Sequence, residues 1–226
     1  MPTRRHLLLA ATGPWFVRET RAQDRPRFEL GVASGQPRSD GMVLWTRLTG
    51  PDLPARVPVQ WELAHDEAFS RPAAGGIEVA EDAWAHSVHA EPAGLEPGRW
   101  YWYRFRALGQ VSRSGRTRTA PAPDAAATLR LAIASCQRWD HGHYAAWRHL
   151  ARQELDLVAF LGDYIYEYPS WPVALRRHDG GLLRTLDQYR ARYDQYKRCL
   201  LYTSGRSGCR AGFSVSTYSL PSRASS

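Results

Sequence analysis

The stretch 129–168 reads LRLAIASCQ, RWDHGHYAAWRHLARQEL and DLVAFLGDYIYEY, and it decides the fold of this chain. The apolar runs 129–134 and 156–161 are each as short as a strand that is buried on both faces of a sheet. Between them, residues 142–154 carry apolar side chains at helical spacing. This strand, helix, strand order predicts two parallel neighbouring strands joined by a right-handed crossover.

Chemically reactive side chains follow each of the two predicted strands. Cys136 comes soon after the first strand, and Asp163 and Tyr166 come after the second. Because ligands of parallel sheets bind beyond the carboxyl ends of the strands, we expect a thiol, a carboxylate and a phenol at one sheet edge. Each of them also has an ordinary structural alternative, namely a buried free cysteine, a turn aspartate and a packed tyrosine.

Residues 28–119 are predicted to be all-β. Short alternating stretches are separated by turns rich in glycine and proline throughout this part. In WYWYRFRA (100–107), Tyr101, Tyr103 and Phe105 fall on one face of a strand, and the tryptophans and arginines fall on the other. Short strands at this density predict a two-sheet β-sandwich.

These motifs together resemble the PhoD-type alkaline phosphatases (phosphodiesterase/alkaline phosphatase D), a branch of the metallophosphoesterase superfamily. The similar segments are GVASGQPRSDGMVLWTRL, GLEPGRWYWYRFRA, the pair ASCQ and LGDYIYEY, and YRARYDQYK. The resemblance covers residues 28–198. It implies an α/β metallophosphoesterase-like domain, truncated here, that is preceded by an all-β immunoglobulin- or fibronectin III-like sandwich domain. One departure is Gln36, which stands where the family often has an aspartate.

The resemblance implies that Cys136, Asp163 and Tyr166 are ligands of an iron centre, as Fe³⁺, with calcium nearby. Anionic donors stabilise a trivalent ion better than a divalent one. A thiolate in turn needs a metal or a positive potential to stay deprotonated near neutral pH. Gly162, which precedes Asp163, leaves the backbone room to approach a bound anion.

Two further groups of side chains invite a functional interpretation. His141 and His143 form an H-x-H pair of the kind that can bind a metal, and Arg176, Arg177 and Arg190 could attract phosphate. For both groups a solvated surface is the alternative. We therefore assign no catalytic residue and leave the substrate-binding residues open.

The chain divides into five predicted segments. They are a twin-arginine-type signal peptide and lead-in (1–27), the sandwich domain (28–120), a linker (121–128), the start of the metallophosphatase domain (129–198) and an unrelated tail (199–226). The tail has eight serines and no acidic residue. Since the family chain would continue with further metal ligands, we expect a truncated or frameshifted reading of a longer gene. The alternative is a genuinely short protein, and the composition of the tail argues against it. The missing segments would leave the two apolar strands partly bare, and the 226-residue chain would be a poor catalyst.

Charge and targeting signals point away from nucleic acid and towards export. The net charge is +8, but residues 1–23 and 199–226 contribute +3 each, so the remainder carries only +2 and has no long basic run. Arg4 and Arg5 precede a short apolar run, as in twin-arginine signals, and that run is too short to span a bilayer. We expect the export machinery as a partner, no stable membrane insertion, and a periplasmic or extracellular location. A disordered basic N-terminus is the alternative.

The predicted function is hydrolysis of phosphate monoesters and diesters at alkaline pH by water that a metal activates. The resemblance implies this activity for the parent enzyme, an alkaline phosphatase D-like phosphoric ester hydrolase. A second hypothesis belongs to another class, an exported β-sandwich that binds or adheres without catalysis. Iron content distinguishes the two, because only the enzyme requires it.

Overall fold

Eleven strands and two α-helices make up the described part of the chain. The structure is a computed structural model, and it describes residues 26–204 and 215–216, so the predicted signal peptide lies outside the described residues. The elements are β1 (Val32–Gly35), β2 (Val43–Arg47), β3 (Arg56–Ala64), β4 (Pro72–Glu81), β5 (Ser87–Ala90), β6 (Trp100–Ala107), β7 (Gln110–Val111), β8 (Gly115–Arg118), β9 (Leu131–Ala134), α1 (Ala145–Leu150), β10 (Leu157–Phe160), α2 (Leu186–Ser204) and β11 (Val215–Ser216).

Two antiparallel sheets pack face to face in the first half of the chain. One has the strand order β1-β2-β5, and the other has the order β4-β3-β6-β7 with β8 also paired to β6. Their inner faces share one apolar core, to which β2 contributes Leu44, β3 contributes Val59 and β5 contributes Val88. The predicted two-sheet arrangement is therefore observed. Its kinship with immunoglobulin or fibronectin III domains remains a prediction.

The alternating pattern of β6 has the predicted consequence. Tyr101, Tyr103 and Phe105 are buried, and the residues between them are half-buried on the opposite face. Tyr103 lies opposite Gly115 of β8, and a Cβ atom on Gly115 would come within 2.3 Å of the tyrosine ring. Glycine at this position thus lets a large aromatic ring lie flat against the neighbouring strand.

The second half contains a small parallel sheet with the order β11-β10-β9. β9 and β10 are parallel neighbours, as predicted, with Leu131 opposite Leu157 and Ala134 opposite Phe160. We expected β9 to be buried on both faces, and this prediction is wrong. Leu131 is 46% exposed and Ile133 is 64% exposed, because β9 is an edge strand with one face open. The expectation that this sheet is partly bare is confirmed at β9.

The helix predicted over 142–154 is much shorter in the structure. It covers Ala145–Leu150, and it starts there because Tyr144 in front of it has a left-handed backbone with a φ of 56°. That conformation lets the Tyr144 hydroxyl donate to the carbonyl oxygen of Gln137 at 3.2 Å. Trp147 on the helix stacks on Phe160 of β10 at 5.9 Å between ring centroids. The apolar spacing thus predicts the packing face correctly, while side-chain contacts set the helix start.

Helix α2 connects the two halves of the molecule. Arg47 of β2 forms a 2.6 Å ion pair with Asp194 of α2, and both side chains are only 15% exposed. Trp45 on the same face of β2 meets Tyr193 edge to face. The helix continues past the predicted boundary at residue 199 to Ser204. None of the described helices is long and apolar enough to cross a membrane.

Candidate functional site

The backbone after β9 and β10 brings two predicted site residues to the same sheet edge. The parallel pairing extends one step beyond the strands, because the Cys136 amide donates to the carbonyl oxygen of Gly162 at 3.1 Å. Cys136 and Asp163 both have a left-handed backbone, with φ values of 56° and 53°. Non-glycine residues adopt this region rarely, and when they do it is often at functional sites.

The three predicted ligands converge on one carboxylate oxygen. The Cys136 Sγ lies 3.6 Å from the Asp163 Oδ2, and the Tyr166 hydroxyl donates to the same oxygen at 3.2 Å. A Cβ atom on Gly162, which has a φ of 150°, would meet none of the described residues within 4 Å. The structure therefore brings together the thiol, the carboxylate and the phenol, with an uncrowded backbone beside them.

Electrostatics keep Tyr166 neutral in the absence of a cation. Burial first, and then the hydrogen bonds with Cys136 and Asp163, raise the pKa of the Tyr166 hydroxyl above its usual value. The phenol therefore acts as a donor to the carboxylate. A cation bound beside it would reverse this preference, because an opposite charge favours the ionised form.

Sequence reasoning missed an ion pair next to the site. The Arg138 guanidinium lies 5.3 Å from the centre of the Tyr166 ring and donates to Asp140 at 2.7 Å. The Asp140 side chain is fully buried. Burial alone would raise the pKa of Asp140, but hydrogen bonds from Arg138 and from backbone amides hold it below its usual value. Asp140 thus holds the Arg138 guanidinium beside the Tyr166 ring.

A second missed residue, Arg192, holds the loop that carries Tyr166. Arg192 is almost completely buried on α2. Its guanidinium donates to the carbonyl oxygens of Tyr166 at 2.6 Å, Tyr168 at 3.2 Å, Asp179 at 3.3 Å and Gly181 at 3.2 Å. No local pattern marks it, because its partners lie 11 to 26 positions away in sequence.

Four of the other candidate side chains have structural partners, and His143 is exposed. His141 meets the Trp171 ring at 5.6 Å. Arg176 donates to the Trp139 carbonyl at 2.6 Å and stacks on its ring, and Arg177 and Arg190 donate to backbone carbonyls. Within residues 26–204 and 215–216, no group of three His, Cys, Asp or Glu side chains could hold a metal. Cys136 and Asp163 are two side chains of these types, and the phenol beside them belongs to Tyr166.

Comparison with known proteins gives the same family over both halves. Residues 14–121 match the model of the PhoD-like phosphatase N-terminal domain, and residues 131–199 match that of the PhoD-like phosphatase. The chain is 47% identical over 182 residues to alkaline phosphatase D of Bacillus subtilis (strain 168), which covers 75% of this chain and 31% of that protein. The chain thus spans about a third of the length of this curated relative.

A solved structure of PhoD is similar in three dimensions. It superimposes with a TM-score of 0.77 at 43% sequence identity, over 85% of this chain and 39% of that one. Because the sandwich makes up less than half of the chain, a match over 85% of it extends into the second half as well. This chain therefore belongs to the PhoD-like phosphatase family.

Proposed function

We propose that Cys136, Asp163 and Tyr166 bind iron in the Fe³⁺ state, with calcium close by, in a centre for the hydrolysis of phosphate monoesters and diesters. The observation that carries this proposal is the convergence of the thiol and the phenol on Asp163 Oδ2, at 3.6 Å and 3.2 Å. Membership of the PhoD-like phosphatase family supports the phosphoesterase part of it.

The donor set fits a trivalent metal ion. Neighbouring ligands of one ion are roughly 3 Å apart, because bonds from a metal to protein ligands are about 2.0–2.3 Å long. The separations at Asp163 Oδ2 come close to this spacing before any ion is present. Thiolate, carboxylate and phenolate together carry three negative charges, which match a trivalent ion in a partly exposed site.

Each residue of the site would have a separate role. Cys136, Asp163 and Tyr166 would hold the ion, which when bound polarises a phosphoryl oxygen and lowers the pKa of water. Arg138 packs against the Tyr166 ring. Its positive charge also favours the ionised forms of the three donors. Gly162 leaves its side of the strand end open for the substrate.

Iron binding by the chain tests the proposal without relying on turnover. Purified protein loaded with ferric iron should show a visible phenolate-to-iron absorption band and bound iron by elemental analysis. Asp163→Ala should lose both signals, and Tyr166→Phe should lose the band. Tyr168→Phe is the matched control, since that ring is exposed and lies outside the cluster. A full band in Tyr166→Phe would contradict the assignment.

Hydrolysis is tested in a longer relative that carries the same three residues. Replacing its aspartate equivalent to Asp163 by alanine should abolish turnover of aryl phosphate monoesters and diesters, assayed with and without added calcium. The present 226-residue chain should turn these substrates over poorly, because three donors are few for a site with two kinds of ion. Substantial turnover by this chain would overturn that expectation.

Export through the twin-arginine pathway to the periplasm or the outside of the cell is part of the proposal. It rests on Arg4 and Arg5 and the apolar run after them. Replacing both arginines by lysine should leave the protein in the cytoplasmic fraction. Equal export of this variant would exclude the pathway. The alternative, a sandwich that only binds or adheres, is not favoured, because residues 131–199 match the phosphatase family.

A further inference from the structure

A separate cavity lies between the sandwich and helix α2. Its volume is about 390 Å³, within the range of small-molecule sites. On one side it is lined by the outer face of β1, β2 and β5, and on the other by α2 and the residues after Asp163. The lining includes neither Cys136, Asp163 nor Tyr166, so this cavity is distinct from the candidate metal centre.

Among the described residues that line this cavity, Lys197 is the only lysine or arginine. Its Nζ lies 4.9 Å from the centre of the Trp45 ring. Among the residues that the structure describes, no carboxylate pairs with Lys197, and the nearby Asp194 is taken by Arg47. Burial lowers the pKa of Lys197 to about 8, so it is still mostly protonated at neutral pH. An unpaired, partly buried charge is unfavourable unless a counter-ion joins it.

Aromatic rings form the walls around this charge. Tyr164 stacks on Tyr193 with 5.3 Å between ring centroids, and Trp45 meets Tyr193 edge to face at 6.3 Å. His89, which lies opposite Trp45 in the sheet, and Gln36 are exposed polar residues of the lining. The lining residues that the structure describes include no aspartate or glutamate. Flat apolar walls, a single cation and a polar rim fit a flat ligand with one negative charge.

We propose that this cavity binds a small aromatic carboxylate, with its ring between the walls and its carboxylate on Lys197. One cation balances one carboxylate, whereas a phosphate dianion would bring a second, unmatched charge into a site whose described lining has no further lysine or arginine. Aromatic rings favour stacking partners in offset or edge-to-face contact. The site is independent of the phosphoesterase assignment.

Ligand-observed fluorine NMR with 4-fluorobenzoate tests this site, and 4-fluorobenzamide is the neutral control of the same shape. Wild-type protein should bind the benzoate roughly tenfold more tightly than the benzamide, as expected for one charge-assisted contact. Lys197→Met should remove this preference, and Lys197→Arg should retain it. Equal binding of the two probes, or no binding of the benzoate, would overturn the proposal.

Two further variants separate this cavity from other cationic sites. Arg152→Met removes an exposed positive charge that lies before β10 in the chain and outside the lining of the cavity. This variant should leave benzoate binding unchanged. Asp163→Ala should also leave it unchanged, because that carboxylate does not line the cavity. Circular dichroism confirms folding, and Lys197→Gln repeats the comparison if Lys197→Met does not fold. Benzoate binding that survives in the neutral variant would place the anion elsewhere and refute the assignment.

Discussion

Arg138 and Asp140 form a charge pair beside the candidate site. The carboxylate of Asp140 is fully buried and accepts hydrogen bonds from Arg138 and from the Trp171 amide. Arg138 in turn lies against the rings of Tyr166 and Trp171, at 5.3 Å from each centre. The pair therefore links a loop after β9 to the loop that carries the phenol.

Arg138→Leu should destabilise the protein by roughly 3 kcal/mol at neutral pH, because it leaves a buried carboxylate without its charged partner. Loss of Arg138 should raise the pKa of Asp140 above its usual value. The penalty belongs to the ionised form, so it should shrink as the pH falls through this raised pKa and past about 4 towards the lowered pKa of the wild type. Urea denaturation at both pH values measures it. Arg152→Leu, which changes an exposed arginine, is the control. A penalty that does not change with pH would rule out Asp140 as its source.

At the scale of residues, sequence reasoning reaches Cys136, Asp163 and Tyr166 because each stands at a fixed offset from a strand end. The backbone then has only to bring two adjacent strand ends together. The roles of Arg138 and Arg192 could not be predicted from the sequence. The work of Arg192 depends on a loop folding back onto α2, and no spacing in the sequence records that contact.

At the scale of elements, β9 and β10 differ in burial although both are short apolar runs. β10 is central, with Val158 and Phe160 buried, and β9 is at the edge with Ile133 exposed. Ile133→Lys should change the free energy of unfolding by no more than about 0.5 kcal/mol, as for other surface substitutions. It should also reduce aggregation, because charged residues protect edge strands.

Val158→Lys is the matched comparison on the central strand. This substitution buries a charge and should cost more than about 3 kcal/mol. Chemical denaturation and light scattering measure the two effects. Similar losses for Ile133→Lys and Val158→Lys would show that both strands are covered in solution.

Sequence periodicity identifies strands and helices better than it identifies where they begin and end or how far they are buried. It placed β6, β9 and β10 correctly, since alternation and short apolar runs are local properties. It overestimated α1, because the left-handed Tyr144 is held by a hydrogen bond to Gln137 seven residues away. It also overestimated the burial of β9, which depends on the strand order.

At the scale of the whole molecule, the sandwich and the parallel sheet unit are joined by the ion pair of Arg47 with Asp194 as well as by the aromatic contact of Trp45 with Tyr193. Burial raises the pKa of Asp194, and the nearby Arg47 opposes that rise. A second ion pair joins Arg118 of β8 to Asp156 just before β10. These contacts predict that the two units unfold together.

Arg47→Met should break this coupling, because Asp194 would be left buried and unpaired. We expect a loss of stability of roughly 2–4 kcal/mol and two separate unfolding transitions, one for each unit. Differential scanning calorimetry resolves them. Arg56→Met is the control, since Arg56 pairs with Glu81 on the exposed surface of the sandwich alone. A single transition in Arg47→Met would show that the charge pair does not couple the units.

The packing of α2 on β2 also has a consequence for synthesis on the ribosome. Arg47 and Asp194 are 147 residues apart, so the sandwich emerges long before the helix that covers it. At about 5–20 residues per second, the delay is roughly 7–30 s. During this interval Trp45 and its neighbours on the outer face of β2 are accessible to chaperones, and this face is covered only when α2 arrives.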